Sequence, residues 1–150
     1  MTFEVSTQWG DPAVIRRTLA EGETWAVVGL SENPSRAAYG VSKLLQRNGK
    51  RIVPVHPNAD TVHGEQGYAT LADIPFKVDV VDVFVRSELA GDIADQAVQI
   101  GAKAVWFQLD VIDEAAYERT TAAGLDMVMD RCPAIEWPRL GPNAAATESA

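Results

Sequence analysis

The apolar positions change period repeatedly along the chain. Trp25-Ala26-Val27-Val28-Gly29 is a short unbroken apolar run closed by glycine, the pattern of a buried strand. Beyond it Ala37, Val41, Leu44 and Leu45 recur at helical spacing. Ser35 is placed to cap that helix over 36–48, and Gly49 suits its C-terminal end. Arg51-Ile52-Val53-Pro54-Val55 reads as a second strand closed by His56-Pro57-Asn58. Residues 59–77 are less regular, with Leu71 to Pro75 as a single helical turn. Val80 to Val85 forms a third strand, and Leu89, Ile93, Ala97 and Ile100 then share a helical face opened by Arg86 or Ser87 and ended by Gly101. Ala104 to Gln108 is a fourth strand. Asp113 caps a helix through Ala123 that Gly124 ends, and Asp126 to Asp130 is a fifth strand. Ahead of all these, Asp11-Pro12 opens a helix with an N-cap and a proline at its first position, and Gly22 closes it.

Strand–helix alternation with almost unbroken apolar strands means a parallel sheet covered on both faces. The pattern predicts an α/β fold, a single doubly wound five-stranded parallel sheet of Rossmann-like type in the order 3-2-1-4-5. Its ligand crevice falls at the C-terminal ends of strands 1 and 4, where such a winding reverses. Residues 1–140 make one domain, with a helical extension over 1–23. Residues 141–150 carry no apolar face and read as a flexible tail. The segment from Cys132 to Pro138, which contains Trp137, either wraps back over the sheet or supplies the surface of a homodimer or larger assembly; the sequence leaves both open.

Composition narrows the partners. The chain has 150 residues, 47% of them hydrophobic and 23% charged, enough for an ordinary globular core. Its net charge of −8 and the lack of a Lys/Arg cluster argue against nucleic acid and anionic membrane. No run of eighteen apolar residues exists, and Met1 to Val5 has no basic region leading into an apolar one. The single cysteine, Cys132, permits no intrachain disulfide and fits a cytoplasmic location. An anionic nucleotide cofactor remains compatible with this charge, because backbone N–H groups at a helix start can hold phosphates.

The turn after the first strand, Gly29 to Gly40, is where such a cofactor would sit. Gly29 lets a ligand approach the backbone, Ser31 and Asn33 offer side-chain hydrogen bonds, and Arg36 adds a fixed cation beside the helix start. The turn is not G-x-G-x-x-G, since Ser31 and Pro34 stand where the later glycines belong, and it lacks the Gly-Lys-Ser/Thr of a Walker loop. An NAD-binding domain places Asp or Glu at the second strand's tip to hold the ribose. Here the tip is Pro54-Val55-His56-Pro57-Asn58, which suits a ligand with a 3′-phosphate better.

Three segments together resemble the CoA-binding domain family, found in the α-subunit of succinyl-CoA synthetase and in ADP-forming acyl-CoA synthetases. They are Val27 to Pro34, Ile52 to Asn58, and Val80 to Val85 before a helix; Lys103 to Gln108 is similar to that family's next strand. The likeness covers roughly residues 23–140 and is nearest to the small stand-alone members. The resemblance implies that Gly29, Ser31, Asn33, Pro34 and Arg36 receive CoA phosphates, that Pro54, His56 and Asn58 flank the adenosine, and that Val85, Arg86 and Gln108 line the rest of the groove. The tip lacks the lysine that the synthetases often carry there.

No catalytic constellation or metal-ligand set is found. Neither histidine, His56 nor His63, matches the phosphorylated histidine of the synthetases, and there is no Gly-x-Ser-x-Gly. The expected function is therefore non-catalytic binding of coenzyme A or an acyl-CoA, as sensor, carrier or subunit. The rivals are an NAD(P)-binding redox-sensing domain and an interaction protein with a vestigial pocket. Two residues stay open. Asp82 lies inside an apolar strand and is either an acid with a raised pKa or an aspartate held by backbone donors or near an open edge. Cys132, beside Arg131, is either a thiolate able to exchange with a CoA disulfide or a small buried apolar side chain.

Overall fold

The computed structural model describes residues 8–142. The elements run α1 (Pro12–Glu21), β1 (Thr24–Val28), α2 (Ala37–Arg47), β2 (Arg51–Val55), a 3-10 turn (Leu71–Asp73), β3 (Val80–Val83), α3 (Ser87–Gln99), β4 (Ala104–Phe107), α4 (Glu114–Ala122), β5 (Asp126–Val128) and α5 (Pro133–Leu140). Asp11 and Asp113 cap α1 and α4 as the sequence predicts, accepting from the Ala13 amide at 2.9 Å and the Ala116 amide at 3.0 Å. Most of the segment predicted as a tail, residues 143–150, lies outside the described residues.

All strand pairs are parallel, and the five strands lie in the order 2-1-3-4-5. The expected order 3-2-1-4-5 is therefore wrong in the placement of the third strand. The reason is written in β2. Residues 51, 53 and 55 of this strand face β1, as the Arg51 amide bonds the Glu23 carbonyl at 2.9 Å and the Val55 carbonyl accepts from the Gly29 amide at 2.8 Å. Pro54 therefore turns its missing N–H outward, where no strand can use it. Tyr68 covers that edge, donating to the Pro54 carbonyl at 3.0 Å and accepting from the His56 amide at 3.1 Å. With β2 confined to the edge, the chain crosses back over β1 to lay down β3. The winding reverses between β1 and β3, so the crevice lies there rather than between β1 and β4.

Two cores fill the faces of the sheet. On one, Val81, Val83, Val105, Phe107 and Met129 meet Ala90, Ala94 and Ala97 of α3 and Ala116 of α4. On the other, Trp25, Val27, Val80 and Trp106 meet Ile15 and Leu19 of α1 and Ala38 and Leu45 of α2, with Trp137 of α5 against them. The Pro-rich segment thus wraps back over the sheet as a helix. Pro133 occupies its first turn, where its absent N–H removes no helical bond, while Pro138 lies inside it. Asp82 belongs to the second core, in register between Val27 and Trp106. It is fully buried, and neither carboxylate oxygen has a hydrogen-bond partner. The reading of Asp82 as held by backbone donors or by an open edge is overturned, because its strand is central and no donor reaches its oxygens. Burial pushes its carboxyl well above the usual carboxylate range.

Candidate functional site

The C-terminal ends of β1, β2 and β3 converge at the reversal point. Gly29 leaves β1 at φ +101°, and a Cβ there would stand 3.2 Å from the Cβ of Phe84 beyond β3. A glycine is needed both for the left-handed backbone and for this close approach. The chain then enters a loop that braces itself. Asn33 Oδ1 accepts from the Ser35 amide at 3.0 Å and from the Ser35 hydroxyl at 2.7 Å, and the Asn33 amide donates to Ser31 Oγ at 3.3 Å. Ser35 is thereby taken away from the capping role expected of it. Arg36 holds the N-cap position of α2 with no side-chain cap bond. The helix start is left with free N–H groups and its partial positive charge.

That uncapped start opens into a cleft of about 450 Å³ lined by Gly29, Ser31, Asn33, Arg36, Ala37, Ala38, His56, Pro57, Phe84 and Val85. His56 Nδ1 accepts from the Asn58 amide at 3.2 Å. A neutral imidazole then carries its proton on Nε2 and can donate it to a ligand. Arg36, His56 and the helix start form a basic wall in a chain whose net charge is −8. A second cavity of about 290 Å³ adjoins the first, sharing His56, Pro57 and Val85 with it. A small cavity at the opposite end of the sheet, about 60 Å³, holds two ion pairs in its lining, Arg17 with Asp126 at 2.8 Å and Lys103 with Asp79 at 3.8 Å.

Of the residues singled out from sequence, Gly29, Ser31, Asn33, Arg36, His56 and Val85 line the first cleft. Pro34 and Asn58 are exposed beside it and Pro54 is buried in β2; none of the three lines either cavity. Arg86 points to solvent and pairs with Glu88 at 3.4 Å. Gln108 follows β4 and is 7% exposed, with a buried Oε1 that has no partner. Cys132 is also 7% exposed and lines neither cavity, in keeping with a small buried side chain. Sequence reasoning missed Phe84, Ala37 and Ala38 in the first cleft and the α3 residues in the second. The signal for the latter was present, since Leu89, Asp92, Ile93 and Gln96 fall on one helical stripe.

Among the described residues, no group of three or more His, Cys, Asp or Glu side chains is placed to hold a metal ion, and no helix is long and apolar enough to cross a membrane.

The comparisons with known proteins agree with this fold. Residues 23–138 match the model of the CoA binding domain family. The chain is 35% identical over 120 residues to the uncharacterized protein YneT of Bacillus subtilis, covering 80% of this chain and 89% of YneT. A hypothetical protein from Pyrococcus horikoshii, of known structure, is 36% identical with a TM-score of 0.86, covering 93% of this chain and 99% of that one. An ADP-forming acetate–CoA ligase of Archaeoglobus fulgidus is 29% identical over 89 residues, which are 58% of this chain but only 13% of the ligase. With the family match spanning most of its length and a fold to suit, the chain belongs to the CoA-binding domain family.

Proposed function

We propose that this chain binds coenzyme A, free or as an acyl-CoA, in the groove at the C-terminal ends of β1, β2 and β3, and that it does so without catalysing a reaction, as a sensor, carrier or subunit. The observation that carries this reading is the start of α2, left uncapped by the Asn33–Ser35 bonds and facing a cleft that also holds Arg36 and His56. Free N–H groups, a helix dipole and a guanidinium are what a pyrophosphate needs. His56, at the tip of β2, stands where an NAD-binding domain would place a carboxylate. It donates toward a 3′-phosphate instead.

Thermal unfolding with and without ligand tests this. Coenzyme A at a hundred times its dissociation constant stabilises the folded chain by about 2.7 kcal/mol, a rise in Tm of roughly 5–10 °C for a domain of this size. NADH at the same concentration leaves Tm unchanged. A rise with NADH and none with coenzyme A contradicts the proposal.

A further inference from the structure

We infer that His63 is a positioning residue for coenzyme A: by tying the loop that carries His56 to the first turn of α2, it sets the spacing of the two groups that receive the ligand's phosphates. This rests on the proposed binding of coenzyme A and deepens it.

His63 occupies a position that suits other residues better. Val62 and Glu65 bond each other twice, amide to carbonyl at 3.0 Å each way, which closes a two-residue hairpin over His63 and Gly64. Both central residues have positive φ, 54° at His63 and 80° at Gly64. Asn or Gly fills the first of these positions at least cost, so a histidine there needs a reason in its side chain. The reason lies on α2. His63 Nε2 stands 2.9 Å from the carbonyl of Tyr39, and the two rings pack with centroids 4.4 Å apart. A carbonyl only accepts, so His63 carries a proton on Nε2 and donates it. Gln46, about two turns further along α2, donates to the His63 carbonyl at 3.0 Å.

This contact bridges two sides of the first cleft. Tyr39 directly follows Ala37 and Ala38, which line the cleft beside Arg36 at the start of α2. On the other side the loop begins at His56 and Pro57, in the same lining. Its two arms are bound together. The Tyr68 carbonyl accepts from the His56 amide at 3.1 Å, and Gly67 packs its backbone against Ala59 and Asp60 so closely that no Cβ fits. A loop braced in this way carries the position of its hairpin back to its base, and so to His56. Coenzyme A makes that position matter. Its pyrophosphate and its third phosphate sit on the 5′ and 3′ oxygens of one ribose, so the sugar limits their separation. Receivers already held at the matching spacing bind such a ligand without a further ordering cost. Dephospho-coenzyme A, with no 3′-phosphate, makes no demand on that spacing.

Calorimetric titration of coenzyme A and dephospho-coenzyme A into the full chain and two variants tests this. His63→Asn keeps a residue that tolerates positive φ, with an amide too short to reach Tyr39. It is expected to bind coenzyme A about fivefold more weakly, the order set by one neutral hydrogen bond, and dephospho-coenzyme A as tightly as the unaltered chain does. His63→Gln, whose amide extends as far as Nε2, restores most of the affinity for coenzyme A. A role in stability alone would shift the Tm of His63→Asn and leave both affinities unchanged. That result, or an equal loss for the two ligands, overturns the positioning role while leaving coenzyme A binding in place. Failure of the unaltered chain to bind coenzyme A overturns the proposed function and the positioning role together.

Discussion

Asn33 accepts two hydrogen bonds from Ser35, one from its amide at 3.0 Å and one from its hydroxyl at 2.7 Å. These bonds occupy the hydroxyl that the sequence offers as a cap for α2. Asn33→Ala frees Ser35 to turn toward the helix start and compete with a phosphate for its N–H groups. The expected result is a several-fold loss of coenzyme A affinity in calorimetry. The denaturation midpoint should move by no more than about 0.5 kcal/mol, since the loop is exposed.

Arg36 lines the cleft, and among the described residues no ion-pair partner holds it elsewhere. Arg36→Ala is expected to weaken coenzyme A binding by roughly ten- to a hundredfold, the range of a charge-assisted hydrogen bond to phosphate. It should also flatten the dependence of affinity on salt. Arg36→Lys restores part of the affinity, because a point charge replaces only some of the planar fork.

Gly29 combines φ +101° with a hypothetical Cβ only 3.2 Å from the Cβ of Phe84. Gly29→Ala strains the backbone and presses β1's exit against that of β3. Chemical denaturation should show a loss of about 1–3 kcal/mol, and coenzyme A binding should fall with it.

Asp82 gives the fold a pH dependence. Burial holds its folded-state carboxyl well above the ordinary value of 3.8. Between that value and the raised one, the native state keeps a proton that the unfolded chain releases. Stability from this group is therefore complete below about pH 4 and declines as pH rises, by up to about 1.4 kcal/mol per unit. Asp82→Asn cannot ionise, so its denaturation midpoint should vary less between about pH 5 and pH 8. Equal slopes for the two proteins would mean that Asp82 is already ionised in the core.

Much of this architecture is readable along the chain. Every strand, the caps Asp11 and Asp113, and the glycine turn that leaves β1 at Gly29 follow from local periodicity and turn chemistry. Strand order is a long-range property, and handedness alone permits β3 on either side of the β1–β2 pair. Pro54 carries the missing information, because a proline within a strand marks an edge. The helix of α5 is hidden by Pro138, which breaks the expected pattern although Trp137 beside it packs into the core. Ser35 misled for a different reason: its hydroxyl donates to Asn33 Oδ1 and does not accept from an N–H at the helix start. In the site, residues of the loop were visible because they carry polar chemistry in a row. In the second cavity the α3 stripe is legible as helical spacing, but the opposite wall at Thr70 and Leu71 comes from a segment distant in sequence that only the fold brings beside it.

The most direct test of the central claim is a calorimetric titration of the chain with coenzyme A, with dephospho-coenzyme A and NADH run in parallel. The expected result is saturable binding of coenzyme A, weaker binding when the 3′-phosphate is removed, and no heat with NADH. No heat from coenzyme A at millimolar concentration, which bounds the affinity at about 4 kcal/mol, would contradict it.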